Sequence, residues 1–123
     1  PEVKLGSSRL DWQLTGPEGR LWCEVKGVTL EQDGTALFPD APTLRGLGHV
    51  ETLRRLRSEG DFAMAAFLVQ MEGIRRFRPN TAAQPDFARA LREARKSGVE
   101  IVCCGCRVTP DSVEPAYLIP VEL

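Results

Sequence analysis

Apolar and polar residues alternate along Arg9-Leu10-Asp11-Trp12-Gln13-Leu14 and again along Leu21-Trp22-Cys23-Glu24-Val25-Lys26. A period of two is the signature of half-buried strands. Thr15-Gly16-Pro17-Glu18-Gly19 has turn composition, so the two runs are expected to pair as a hairpin. Val28-Thr29-Leu30 continues as strand, and Glu31-Gln32-Asp33-Gly34 reads as a turn. The period then changes. Leu47, Val50, Leu53 and Leu56 recur at three-residue steps, which predicts a helix from an N-cap at Thr43 to about Glu59, stopped by Gly60. Residues 62–69 form a continuous apolar run, short enough for a strand buried on both faces. Residues 75–84 read as a loop broken at Pro79-Asn80. Pro85 and Gly98 bracket a second helix with core positions Phe87, Ala90, Leu91 and Ala94. A last strand starts near Glu100, and the chain beyond Pro110 reads as a loose tail. The order is strand, strand, strand, helix, strand, helix, strand. This predicts a single α/β domain with a mixed central sheet flanked by helices.

Composition narrows the class. The 123 residues suit one core, and 42% apolar with 27% charged residues is the balance of a soluble globular chain. No apolar run approaches the roughly eighteen residues of a membrane span, and no secretory signal is visible. There is no internal repeat, phosphate-cradling glycine loop or serine-nucleophile elbow. The formal charge of −1 argues against a generally cationic surface. Arginines nevertheless cluster at Arg54, Arg55 and Arg57, at Arg75, Arg76 and Arg78, and at Arg89, Arg92 and Arg95. They form either a basic wall for a phosphate backbone or solvated helix faces paired with Glu51, Glu59 and Glu93. Trp12 and Trp22 are expected to pack rather than stack bases. Cys103-x-x-Cys106 has metal-ligand spacing, but strand alternation sends the two thiols to opposite faces. With Cys23 and Cys104 they read as reduced thiols, consistent with a cytoplasmic protein.

Candidate chemistry concentrates in two places. On a strand, Glu24 and Lys26 project from the same face, and hairpin pairing would bring Asp11 beside Glu24. Two converging carboxylates supply hard oxygen ligands for Mg²⁺ or Mn²⁺, and a neighbouring lysine can orient an attacking water or stabilise charge on phosphorus. The bland alternative is a solvated strand face. Downstream, Thr43 and Arg45 at a helix N-terminus could receive a phosphate oxygen, and His49 shares the helical face of Arg45. The alternatives are a simple cap, a surface ion pair and a core histidine.

Arg9-Leu10-Asp11, Glu24-Val25-Lys26-Gly27-Val28-Thr29-Leu30 and Phe38-Pro39-Asp40-Ala41-Pro42-Thr43, followed by Arg45, Gly46 and His49, resemble the sugar fermentation stimulation protein (SfsA) family in order and spacing. The similarity continues through residues 62–69, Arg76-Phe77, residues 86–101 and Ile119-Pro120-Val121. The resemblance implies a restriction-endonuclease-like (PD-(D/E)xK) domain with a metal-dependent nuclease site acting on nucleic acid, DNA before RNA. Carried over by position, Asp11 and Glu24 match metal carboxylates, with the Val25 carbonyl as a third oxygen, and Lys26 matches the site lysine. Asp40, Thr43, Arg45 and His49 match a second signature whose individual roles the motif does not assign. Family members also carry an N-terminal OB-like domain, so this chain reads as their C-terminal, nuclease-like part. Homo-oligomerisation is left open. Two other readings remain: a non-catalytic DNA-binding regulator of sugar metabolism genes, and a carbohydrate-acting enzyme, to which the lysine and arginines are less suited.

Overall fold

The computed structural model describes residues 3–5, 8–10 and 12–123. Its strands are β1 (Val3–Leu5), β2 (Ser8–Leu10), β3 (Trp12–Gly16), β4 (Gly19–Val28), β5 (Leu30–Gln32), β6 (Thr35–Phe38), β7 (Phe62–Val69), β8 (Arg76–Pro79), β9 (Glu100–Val108) and β10 (Val113–Ile119). Helix α1 (Leu44–Ser58) lies between β6 and β7, and α2 (Pro85–Lys96) between β8 and β9. The main sheet has the order β10-β9-β7-β4-β3. Its central strands β4, β7 and β9 are parallel, and antiparallel β3 and β10 close the edges. A smaller sheet, β5-β6-β8, packs beside it.

The hairpin predicted around Thr15–Gly19 forms, with Gly16 opposite Gly19 and Trp12 opposite Cys23. Asp33 and Gly34 both have positive φ (52° and 81°), the backbone a two-residue hairpin turn requires, and they join β5 to β6. Helix α1 starts where its cap predicts: the Gly46 N–H donates to Thr43 Oγ1 at 2.9 Å. It ends at a C-cap on Glu59, followed by Gly60 at φ +100°. Val50, Leu53 and Leu56 are buried, while Leu47 is half-buried. Pro85 opens α2, whose Phe87, Ala90, Leu91 and Ala94 reach the core. Aromatic packing joins the layers. Phe67 of β7 lies 5.4 Å from Phe38 and 4.5 Å from Phe77, and Phe38 lies 5.3 Å from Phe87.

Four segments differ from expectation. The single strand expected over residues 9–14 is divided between β2, which pairs with β1 in a two-stranded sheet, and β3 of the main sheet. The loop expected at 75–84 contains β8, parallel to β6. Phe77 is fully buried there, and Pro79 sits at the strand end, where a missing N–H costs little. Residues 35–38, given no element by pattern, form β6 between β5 and β8. The expected loose tail forms β10, which pairs with β9 through a register shift between Pro115 and Tyr117 and buries Ile119. For β6 and β8 a long-range ladder supplies what local pattern lacks, and for β10 the adjacent hairpin partner β9 does so. Among the described residues, no helix is long and apolar enough to cross a membrane.

Candidate functional site

Strand β4 alternates as its sequence requires. Trp22, Glu24, Lys26 and Val28 point to the face covered by α1, with Glu24 level with Ala65 and Lys26 level with Phe67 of β7. Glu24 is only 4% exposed and His49, reaching down from α1, only 3%. The solvated-face alternative for Glu24 and Lys26 therefore does not hold. Glu24 Oε1 lies 3.1 Å from Lys26 Nζ and 3.1 Å from His49 Nδ1, and Nζ lies 2.8 Å from Nδ1. Three polar atoms thus form a closed triangle beneath the helix. With Lys26 as an ammonium, Nζ donates to both Oε1 and Nδ1, and the imidazole carries its proton on Nε2. Burying a carboxylate is costly unless charge and hydrogen bonds compensate it, and here the Lys26 ammonium, itself held by the helix-borne imidazole, provides both.

The second signature runs from the β6–α1 connection into the helix that carries His49. Asp40 is exposed on the connection from β6 to α1, and Arg45 is exposed on the first turn of the helix. Arg45 stands one helical turn, roughly 6 Å along the axis, above His49. Thr43 caps α1 through its hydroxyl, and its main chain is gripped by a residue the sequence analysis passed over. Gln84, buried at the N-cap of α2, accepts from the Thr43 N–H at 2.9 Å and donates to the Thr43 carbonyl at 3.2 Å. Asn80 donates to the Pro39 carbonyl at 2.9 Å, and its own N–H bonds the Phe38 carbonyl at 2.8 Å. The segment before α2 therefore fixes the path of residues 38–43. Gln84 makes no side-chain cap bond to its own helix, because its amide is engaged with Thr43 across 41 residues, a contact for which local sequence carries no signal.

Asp11 lies outside the described residues. It precedes Trp12, whose partner across the hairpin is Cys23, the residue before Glu24. Val25 projects to the opposite face from Glu24 and is half-buried. Among the described residues, no three His, Cys, Asp or Glu side chains converge as metal ligands.

The arginine clusters mostly hold elements together. Arg54 pairs with Glu93 at 3.2 Å across the two helices, Arg55 with Glu59 at 3.9 Å, and Arg89 with Asp86 at 3.0 Å. Arg78 and Arg76 both reach Glu122, at 2.6 and 3.9 Å. All are substantially exposed, so each contributes at most about 1 kcal/mol. Trp22 packs in the core and donates through Nε1 to Asp61 Oδ2 at 2.8 Å. None of the four cysteines forms a disulfide. Burial and the neighbouring Cys104 and Cys106 push the Cys103 thiol up to about 12, and burial also raises Cys106.

Comparison with known proteins agrees with this architecture. Residues 1–112 match the family profile described as "Sugar fermentation stimulation protein RE domain". The chain is 43% identical over 122 residues to a sugar fermentation stimulation protein homolog of Desulfitobacterium hafniense, covering 99% of this chain and 54% of that protein. It is 42% identical over 123 residues to the Clostridium perfringens homolog, covering 53% of it. The solved structure of Pyrococcus furiosus SfsA in complex with Ca²⁺ superposes with a TM-score of 0.91 at 30% identity, over 99% of this chain and 53% of that one. The chain spans about half the length of the relatives it matches. The mixed sheet with its two helices is thus the restriction-endonuclease-like fold implied by the sequence motifs, and the chain belongs to the sugar fermentation stimulation protein family.

Proposed function

We propose that this domain hydrolyses phosphodiester bonds in nucleic acid, DNA in preference to RNA, with a divalent cation held at Glu24. The observation that carries the reading is a carboxylate 4% exposed, sharing a strand face with a lysine 3.1 Å away, beneath a helix whose first turn carries exposed Arg45. The donors present suit a hard cation: Glu24 offers a carboxylate and the adjoining Val25 a main-chain carbonyl, with Asp11 as the second carboxylate in the proposal. Calcium, the ion named with the Pyrococcus structure, has the same preference for oxygen. Mg²⁺ or Mn²⁺, when bound, would lower the pKa of a coordinated water and polarise a phosphoryl oxygen.

The chain's own groups do the rest. Lys26 places an ammonium beside the carboxylate, where it orients the attacking water and offsets charge developing on phosphorus. His49 holds Nζ through Nδ1 at 2.8 Å, so the lysine has a fixed direction before substrate arrives. Arg45 and the capped start of α1 receive the flanking phosphate, and Asp40 borders that approach.

The test is incubation of the protein with labelled single- and double-stranded DNA and RNA in Mg²⁺, Mn²⁺ and EDTA, beside Glu24→Ala and Lys26→Ala. Metal-dependent cleavage reduced at least a hundredfold in both variants supports the proposal. Binding that persists in EDTA, with no cleavage of any substrate by folded protein, refutes hydrolysis and supports a non-catalytic DNA-binding regulator.

A further inference from the structure

The two faces of the main sheet are unequal. Glu24, Phe67 and Cys103 project to the face that carries α1, α2 and the smaller sheet. The other face carries Leu14, Leu21, Phe62, Met64, Leu68 and Leu118, and at its margin Arg57 of α1 reaches over the Phe62 ring at 5.7 Å. Of the five large hydrophobic residues exposed among the described residues, Leu14 (58%), Phe62 (45%) and Leu118 (75%) are on this one face. They belong to β3, β7 and β10, so they mark its two edges and its centre. Isolated exposed leucines are ordinary, but a contiguous apolar sheet face is a contact surface.

The sequence of β7 makes the same demand. Parallel strands are normally covered on both sides, and Phe-Ala-Met-Ala-Ala-Phe-Leu-Val over 62–69 is the continuous apolar run of such a strand. Its inward half is satisfied, with Ala63, Ala65, Phe67 and Val69 all buried. On the outward half Met64 and Leu68 are half-buried and Phe62 is exposed. The expectation of two-sided burial is met on one side within this chain.

We infer that this face is a homodimer interface, on which two copies of the domain pack sheet against sheet. Charge supports a second copy as the occupant. At the described strand positions the face has one charged residue, Glu100, and that lies at its margin at the start of β9. An uncharged apolar surface is its own complement under a two-fold axis. Area supports it as well. Five strands about 4.8 Å apart, each about eight residues at roughly 3.3 Å, present roughly 600 Å² in plan. Side-chain relief brings this near the roughly 800 Å² per partner of a standard stable interface. Such packing leaves both Glu24–Lys26–His49 triangles on the outer sides of the pair, open to substrate. The interface stands independently of the proposed hydrolysis.

Sedimentation velocity across the micromolar range tests the inference, on wild type, Leu14→Glu, Leu118→Glu and, as a control on the helical side, Leu44→Glu. Leu14 and Leu118 are exposed, so their substitution spares the core and the variants fold. The expected result is a wild-type and Leu44→Glu dimer whose dissociation constant rises at least tenfold in each face variant. A wild-type monomer at 100 µM overturns the inference and assigns the face to a different module, such as the half of its relatives that this chain does not span. A dimer equally tight in all four proteins overturns it too.

Discussion

Replacing Gln84 with methionine tests the coupling between α2 and the approach to the site. The substitution keeps the length and nearly the volume of the side chain, so packing changes little. It removes two hydrogen bonds, from the Thr43 N–H at 2.9 Å and to the Thr43 carbonyl at 3.2 Å. Each contributes about 1 kcal/mol net, and a buried main-chain group left unpaired costs about 1–3 kcal/mol more. Thr43 is half-buried, so water can replace part of the loss. The expected destabilisation is therefore about 2 kcal/mol. It should appear in urea unfolding as a lower midpoint at unchanged m-value, since no more surface is exposed on unfolding. Hydrogen exchange supplies the local signature: the Thr43 amide should lose protection while the core strand β7 changes only through global stability. A loss below about 0.5 kcal/mol, with Thr43 exchange unaltered, would show that the amide grip does not hold the start of α1.

Two further substitutions and a titration follow from the same contacts. Asp61→Ala leaves the buried Trp22 indole N–H without its acceptor and should cost about 2–3 kcal/mol in urea unfolding. Arg20→Ala, which breaks a half-exposed pair to the same carboxylate and a guanidinium contact over the Trp22 ring at 5.8 Å, should cost under about 1 kcal/mol; equal losses would contradict the assignment. Cys103 should resist iodoacetamide in the folded protein at pH 8, because its thiol is buried and stays protonated up to about 12. In the unfolded chain it releases its proton near the ordinary value of 9.0. Between these values the folded state binds more protons, so stability should fall as pH rises from about 9, and Cys103→Ala should flatten that fall in urea midpoints at pH 8 and 10.5.

What was legible in the sequence followed local rules. Thr43, Gly60, Pro85 and Gly98 fix helix ends through backbone chemistry that needs no partner, and both helices begin where those residues place them. Glu24 and Lys26 share a face because strand geometry leaves no alternative. The elements that were missed depend on a partner strand rather than on their own pattern. β8 has two arginines and a proline in four residues and becomes a strand because β6 offers a ladder and Phe67 a packing surface. β10 contains Pro115 and a register shift, and only β9 makes it a strand. Within the site, sequence placed Arg45 and His49 on one helical face but gave no sign that His49 would close a triangle on β4. That contact depends on how α1 crosses the sheet. The grip of Gln84 on Thr43 spans 41 residues and was invisible for the same reason.

The placement of Glu24 and Lys26 has a consequence for how this domain can change. Inserting or deleting one residue between Trp22 and Lys26 would rotate the strand by one position and send Cys23 or Val25 into the place of the carboxylate. The parallel ladder to β7 holds eight consecutive positions of β4, from Leu21 to Val28, so the slip cannot be absorbed locally. Exchange of one side chain for another is open to this strand, but a change in its length is not. Length can vary instead at the exposed Pro17-Glu18 tip of the first hairpin, where no ladder continues. The turn at Asp33-Gly34 is not equivalent, because Arg75 bonds both of its carbonyls at 2.8 Å. Insertions, tags and tethered modules belong at the first turn, beyond the end of its ladder and clear of the strand positions that carry the site.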